Sequence, residues 1–542
     1  MARRGRGQTP VLIVGAGPVG AVTALTLARY GVPSTVVDRS VLPSAGPPMD
    51  VIDARSMELL RPLGLADPIR AVGIGSHYSL DVLWTRGFTQ PPVLVWHHPS
   101  VDQLRRQYAA VNDGTAPIEP YQRVRGPVVE RLLRQAATAH PLIDVRPGSA
   151  VTAVEAAADQ VTVTVVDRTG QRTITADYLV ACDGARSSVR RGLGIGLDPA
   201  GDSRPVCSVD FRSRDQRLRQ YGRAFLTIAA AGLALVSRDE DALWTACFPV
   251  DRHDGGGADP LAEVQRRLGI AFTVDDLISV ARWDVTLAVA STYRVGRVFL
   301  AGDAAHPITP TGVYGASPGF GDALDLGWKL AGVVNGWAGP RLLDSYETER
   351  RPVALLYREL CADLLEVGRR FGRLAAAGVG PEQLAGFLEV QAHHIDNLGV
   401  HFGHRYVGSP VIVAEPGDPP LWSWREITGS TWPGGRAPSV RLSSGEQLYD
   451  KFGPVFTIID LSACGLGRDL VDHAMRRSVP ITYLAVDDRA VRACYERELV
   501  LVRPDHHVGW RSDYAPVNWG EILDVITGQG CAVGATGATV LP

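Results

Sequence analysis

The sequence predicts an α/β fold: a parallel sheet with crossover helices and an inserted layer of antiparallel strands. Three stretches of the 542-residue chain predict it. In the first, the apolar run Val11 to Val14 meets Gly15-Ala16-Gly17-Pro18-Val19-Gly20, then a helical run Ala21 to Tyr30 and a second strand, Ser34 to Val37. In the second, Asp177 to Cys182 reads as a strand that stops at a tight Asp183-Gly184 turn, with a helix start capped by Ser187 or Ser188. In the third, Val298 to Ala301 stops at Gly302-Asp303 and passes through a loop of Pro307, Pro310, Gly312, Gly315, Pro318 and Gly319. A helical pattern then runs from Asp322 to Val334, with Ala323, Leu326, Leu330 and Val333 on one face.

The chemistry of the first stretch follows from its spacing. Gly15 permits the tight turn, Gly17 lets backbone approach a pyrophosphate, and Gly20 lets helix pack on strand. Asp38 follows Gly20 by 18 residues, where an acid accepts from a ribose hydroxyl, and Arg39 stands next to it. These residues predict a dinucleotide site and leave NAD and FAD both open. Arg55, at the start of a helix expected over Ser56 to Leu60, is a candidate cation for phosphate, with a plain surface arginine as the alternative.

Between the stretches, Leu80 to Trp84 and Val93 to His97 have strand character, Gly126 to Ala139 is helical, and Ala150 to Val166 and Arg172 to Ile174 alternate as antiparallel strands. Residues 205–290 carry aromatic and β-branched runs that predict a separate sheet, the natural cover for a substrate. A net charge of −3 gives no reason for a nucleic-acid or anionic-membrane partner. Seven scattered cysteines without a C-x-x-C spacing predict free thiols in a reducing cytoplasm. Arg3, Arg4 and Arg6 before Val11 to Ala28 superficially resemble a signal peptide, but Gly15, Gly17, Pro18 and Gly20 interrupt that run. The reading is a short disordered tail followed by a cytosolic domain.

Taken in order, Gly15 to Gly20, Cys182-Asp183-Gly184 and Gly302-Asp303 resemble the FAD-dependent aromatic hydroxylases of the para-hydroxybenzoate hydroxylase type, the single-component flavoprotein monooxygenases. The loop aligns on that family's pattern through His306, Pro310, Gly312, Gly315, Ser317 and Asp322. The resemblance implies a Rossmann-like FAD-binding domain in which Asp303 holds the ribityl chain and backbone near Gly315, Ala316 and Ser317 faces the pyrimidine edge of the flavin. Free amides and a helix N-terminus there suit the negative charge of reduced flavin. It further implies Asp38 at the adenosine ribose, Arg55 at the pyrophosphate, and Asp183-Gly184 linked to both FAD and NAD(P)H. Pro310 shapes the oxygen-transfer space, and His306 is a candidate catalytic group that packs and bonds structurally in the alternative. Pro433 to Pro438, Leu448 to Gly453 and Leu499 to Arg511 resemble the thioredoxin-like domain of phenol hydroxylases and polyketide-tailoring hydroxylases. Without a C-x-x-C, that domain is expected to be structural.

The chain also departs from the family. Pro48 lacks the arginine that follows it in many relatives, Gly126 replaces a glutamine whose contact to FAD Arg123 or Arg125 would supply, and the flavin loop has Tyr314, Ala316 and Ser317 in place of Gly, Met and Asn. Expected boundaries are FAD-binding parts at 1–70, 111–200 and 291–420, substrate-domain parts at 71–110 and 201–290, and the thioredoxin-like domain at 421–542. His393, His394, His401 and His404 lack a metal-site spacing. Glu347, Glu349, Arg350 and Arg351 read as pairs along one helix that Pro352 kinks or ends. The implied activity uses NADPH or NADH, FAD and O2 to hydroxylate a phenolic or polycyclic aromatic substrate through a flavin C4a-hydroperoxide. Alternatives are a Baeyer–Villiger oxygenation of a polycyclic ketone and an aromatic-binding flavoprotein without turnover. The expected assembly is a monomer or homodimer.

Overall fold

The computed structural model describes residues 8–43, 49–251, 259–309 and 317–530. The N-terminal arginines and Pro48, Pro310, Gly312, Tyr314, Gly315 and Ala316 lie outside that set.

Strands β1 (Gln8–Val14), β2 (Ser34–Asp38), β3 (Ile143–Pro147), β4 (Gly170–Ala181) and β5 (Val298–Leu300) run parallel in the spatial order β5-β4-β1-β2-β3. The apolar runs of β1 and β5 and of the C-terminal end of β4 reflect burial on both faces. Helix α1 (Pro18–Arg29) and helix α2 (Ser317–Val334) pack against each other, and Ala24 and Leu27 of α1 and Phe320, Ala323, Leu326 and Leu330 of α2 belong to the same core as β1. The antiparallel strands Ala150–Ala156 and Val161–Asp167 extend β4. The helix expected over Gly126 to Ala139 has those bounds.

The second sheet has seven strands in the order Asp276–Val285, Arg204–Arg212, Leu243–Pro249, Leu233–Ser237, Leu226–Ala229, Val82–Thr85 and Leu94–Trp96. Its alternation sorts side chains to two faces. Val209, Phe211, Leu235 and Ala246 face the helix Pro260–Leu268 and are closed off from water. On the other face, Val82, Trp84 and Trp96 pack on Val367 and Phe371 of helix α3 (Arg341–Ala376) and on Leu384 and Leu388. Neither cover reaches the outer half of that second face, where Ser208, Asp210, Val236, Cys247 and Trp283 keep partial exposure or more.

The C-terminal unit is a four-stranded sheet, Ile481–Ala485, Phe456–Asp460, Leu499–Val502 and Val508–Ser512, flanked by the helices Arg468–Arg476 and Trp519–Thr527. It is fused to the first domain by ions. Arg503, buried to 1 % exposure of its side chain, donates to both oxygens of Glu349 at 2.7 Å, while Lys329 donates to Asp325 at 2.7 Å and to Glu349 at 2.5 Å. Asp505 joins at 2.8 Å from Arg503. Burial, with the charge of Glu349 adding to it, pushes the Asp325 carboxyl up to about 7. The trio Asp325, Glu349 and Asp505 lies close enough to ligate a metal, but Lys329 and Arg503 already stand among its oxygens.

Two expectations are corrected here. Pro352 does not end its helix: α3 continues from Arg341 to Ala376 across it. Glu349 and Arg350 bond across elements and not along their own helix, because both are buried against α2 and the C-terminal unit. Breaking such a network leaves charges uncompensated away from water. The Arg503→Met variant is expected to lose about 3–5 kcal/mol of stability, read from urea unfolding followed by circular dichroism.

Candidate active site

Because β5, β4 and β1 lie side by side, their C-terminal ends deliver Gly302-Asp303, Cys182-Asp183 and the Gly15 to Gly20 loop to one edge of the sheet. Ligands of open α/β sheets bind outside these ends. The three stretches, each more than a hundred residues from the next, thus meet at one edge.

The glycine loop is shaped by contact. Gly15 has φ +104°, and a Cβ on it would lie 2.3 Å from the Cys182 carbonyl oxygen. A Cβ on Gly20 would lie 1.9 Å from the Gly15 carbonyl oxygen. Around Gly17, the residue before α1, nothing stands within 4 Å of the Cβ position. The N-terminus of α1 therefore faces open space across a backbone without side chains, the arrangement that admits a phosphate. Asp38, at the end of β2, accepts from Ala16 N at 2.6 Å, Ser40 N at 2.7 Å and Arg134 at 3.0 Å. Arg39 beside it is exposed.

The second loop carries an acid with an open valence. Asp183 Oδ2 accepts from Ser188 N at 2.7 Å, Ser188 Oγ at 3.0 Å and Val189 N at 3.2 Å, which starts the helix Ser188–Gly192. Its Oδ1 is buried and has no hydrogen-bond partner among the described residues. Gly184 follows with open space around it. Arg190 of the same helix donates to Ala304 O at 2.9 Å and ties the second loop to the third. Asp303 is exposed on the turn Gly302–Ala304, yet protein surrounds it closely enough that lost hydration raises its carboxyl, against the pull of His306.

Beneath the third loop, Asp322 of α2 is the organising acid. It accepts from Gly302 N at 3.1 Å and from Arg350 Nε at 3.0 Å, and its Oδ2 lies 2.5 Å from His306 Nε2. Arg350 also donates to Pro318 O at 3.0 Å and to the Tyr406 hydroxyl at 3.2 Å. Burial would raise Asp322, but His306 and Arg350 together hold its carboxyl below the ordinary range. His306 is fully buried. Its burial and its contact with Asp322 fit the structural alternative of the sequence expectation, a histidine that packs and bonds within the fold. Pro310, Gly315 and Ala316 lie outside the described residues, and Ser317 opens α2 as a buried residue.

Arg55 is also corrected. It is buried, pairs with Glu58 and donates to Asp505 O at 2.7 Å, so its ends are engaged in the interdomain contact. Arg125 precedes the helix Gly126–Ala139, half-buried, and its charge acts on Asp239 of the covering sheet. Arg123, the other candidate, pairs with Glu240 at 2.6 Å and lies over Phe225. The two cavities along the interdomain contact measure about 20 and 60 Å³, room for waters. Asp322 stood in the sequence as part of a pattern, but no signal assigned it three partners; nothing marked Arg134 or Arg190, and Arg350 was read only as part of a pair along its own helix.

Comparison with known proteins agrees with this geometry. Residues 8–358 match the FAD binding domain family, and residues 430–529 match the aromatic-ring hydroxylase C-terminal family. The fold and site are those of a flavin-dependent monooxygenase. The chain belongs to the FAD-dependent aromatic hydroxylases, which the sequence resemblance anticipated. It is 34% identical to the FAD-dependent monooxygenase apdD of Emericella nidulans, over 93% of this chain and 87% of that one. It is 31% identical to tetracenomycin B2 monooxygenase-dioxygenase of Streptomyces olivaceus, over 95% and 97%. Among solved structures, the rebeccamycin biosynthetic enzyme RebC with reduced flavin matches at TM-score 0.85 and 31% identity, covering 96% of this chain and 99% of that one. Aklavinone-11 hydroxylase with FAD and aklavinone matches at TM-score 0.81 and 26% identity, covering 97% and 100%.

The residues present fit FAD: a glycine cradle that a Cβ would fill, an open helix N-terminus, and a buried acceptor at Asp183 Oδ1 without a protein donor. The Gly15→Ala variant is expected to bind FAD about tenfold or more weakly, because its Cβ collides with backbone at a left-handed φ. The visible flavin absorbance of the purified protein, relative to its absorbance at 280 nm, measures this.

Proposed function

We propose that this enzyme uses NADPH or NADH and O2 to hydroxylate a phenolic, polycyclic aromatic compound. The observation that carries the reading is the meeting of the open sheet face with the cofactor edge. Strand Asp276–Val285 runs on from the open face into Thr286, whose backbone oxygen accepts from Thr309 N at 3.2 Å, and Ala288 N donates to Pro307 O at 3.1 Å. A flat, partly apolar wall is thus stitched to the crossover that begins at Gly302. Relatives named for tetracenomycin B2 and aklavinone support a large ring system in that cleft.

FAD, when bound and reduced, supplies the activation of O2 and the oxygen atom that is transferred. The chain binds, orients and shields. Gly15, Gly17 and Gly20 would leave the amides of α1 free for the pyrophosphate, and Asp38, with Arg39 beside it, would meet the adenosine ribose. Asp183, Gly184 and Asp303 would accept from the hydroxyls of the chain between ring and phosphate. Gly315, Ala316 and Ser317 would offer backbone donors to the electron-rich edge of the ring, with Pro310 shaping the space where oxygen is transferred. Arg125 stays as a candidate contact at the cover. Arg55 and His306 are left out of the set for the reasons given above.

The test is a screen of phenols and hydroxyquinones with FAD-loaded enzyme. The expected result is faster NADPH or NADH loss with matching O2 uptake, and a product heavier by one oxygen derived from O2. A product bearing a new ring ester would replace hydroxylation by insertion next to a ketone, and no substrate-dependent O2 uptake would refute the reading.

A further inference from the structure

The open face of the second sheet carries a carboxylate whose charge the protein leaves unanswered. Asp210 stands between Val209 and Phe211, which turn into the core under the helix Pro260–Leu268, so alternation turns Asp210 to the other side. Pairing sets its neighbours there, Thr245 on one strand and Ser279 on the next. Thr245 donates to one oxygen of Asp210 at 2.5 Å and Ser279 donates to the other at 2.7 Å. An ionised carboxylate has about four acceptor positions, so about two stay open.

Among the described residues, no arginine or lysine pairs with Asp210. Arg238 is the near candidate, but it pairs with Asp50 at 2.5 Å and meets Asp210 only through the Thr245 hydroxyl, to which it donates at 3.0 Å. Arg212, the next residue of its strand on this face, is exposed and makes no ion pair with it. Asp210 is half-buried, which limits screening by water and salt. Its field reaches along the wall: burial, and after it the charge of Asp210, pushes the Cys247 thiol up to about 12.

The strand also says which end of the cleft this is. Asp276–Val285 meets the cofactor crossover through Thr286, seven residues past Ser279, so Asp210 and Ser279 lie toward the far end of the wall. Between the two ends the face carries Ser208, Ala281 and Cys247, paired side by side, and Trp283, whose indole N–H donates to Ser208 Oγ at 3.3 Å. Small side chains and one ring held in place leave a floor for a flat molecule that ends on an acid.

Resting on the aromatic-monooxygenase reading of this cleft, we propose that Asp210 is the subsite for a protonated amine on the fused-ring substrate, at the end remote from the carbon that is oxidised. The ammonium donates to the open acceptor positions while Thr245 and Ser279 hold the carboxylate in place. A neutral end group forgoes the charge-assisted bond, and an anionic one is repelled. Asp210 thereby decides which aromatic compound enters without touching the reacting atoms.

The experiment is calorimetric titration of the FAD-loaded enzyme, near neutral pH, with three naphthalenes that differ in one end group. They are 2-(aminomethyl)naphthalene, a cation under these conditions, 2-ethylnaphthalene and 2-naphthoate. Wild type is expected to bind the cation about tenfold or more tighter than the ethyl compound, with 2-naphthoate weakest and added salt narrowing the gap. Asp210→Asn is expected to equalise the cation and the ethyl compound, and Asp210→Glu to restore part of the gap. Asp50→Asn is expected to keep the preference, because Arg238 already answers Asp50. Flavin absorbance confirms that each variant holds its cofactor. Equal affinity for the cation and the ethyl compound in wild type, no binding of the cation, an unchanged preference in Asp210→Asn, or a preference lost only in Asp50→Asn would overturn the assignment. The two readings fail separately. An Asp210-dependent preference in an enzyme that no aromatic compound drives to O2 uptake removes the monooxygenase reading and leaves the cation subsite. Substrate-driven O2 uptake without the preference removes the subsite alone.

Discussion

The carboxylate of Asp322 is the constraint on which the cofactor edge depends. A buried acid is costly unless every lone pair is answered. Here the answers come from three elements: the backbone of Gly302 at the end of β5, the ring of His306 in the loop, and the guanidinium of Arg350 on α3. The crossover is thereby fixed at its start, at its middle and at the helix that receives it. Asp303 stands exposed on the turn Gly302–Ala304 while Asp322 beneath it binds that turn's backbone.

The same logic explains the C-terminal unit. Arg350 reaches Tyr406, whose ring stacks on His507 at 4.1 Å between centroids. The Arg503 to His507 segment then enters the Asp325, Lys329 and Glu349 group, so α2 and α3 are held from the side of the Gly302 turn by Asp322 and from the far side by Arg503. A domain without redox cysteines still has a mechanical part in the enzyme: it supplies the cation that lets two acids and a lysine sit in the core between domains.

What could be read from the sequence follows from the range of the forces involved. Local constraints were legible. The glycine loop, the Asp183-Gly184 turn and the Gly302-Asp303 strand end each need particular residue types at neighbouring positions, and the helix at Gly126 to Ala139 shows its periodicity and breakers in one window. Charged pairs were not, because a side chain's partner is set by packing between elements. Glu349 and Arg350 read as partners along their own helix, and only their burial against α2 and the C-terminal unit reverses that. Arg55 sat where a phosphate cation was expected, until its contacts with Glu58 and Asp505 removed it. Pro352 could be accommodated without ending α3, a tertiary override of a local rule. Asp50 and Arg238, 188 residues apart, meet only when the inserted sheet folds back over the first domain.

Asp322 holds the crossover that begins at Gly302 from beneath. The most direct measurement is titration of apoprotein with FAD, followed by quenching of flavin fluorescence, for wild type and Asp322→Asn. An unbroken clamp predicts one tight FAD per chain in wild type and an affinity weaker by about tenfold or more in the variant. The same affinity and the same bound-flavin spectrum in a folded Asp322→Asn protein would contradict it.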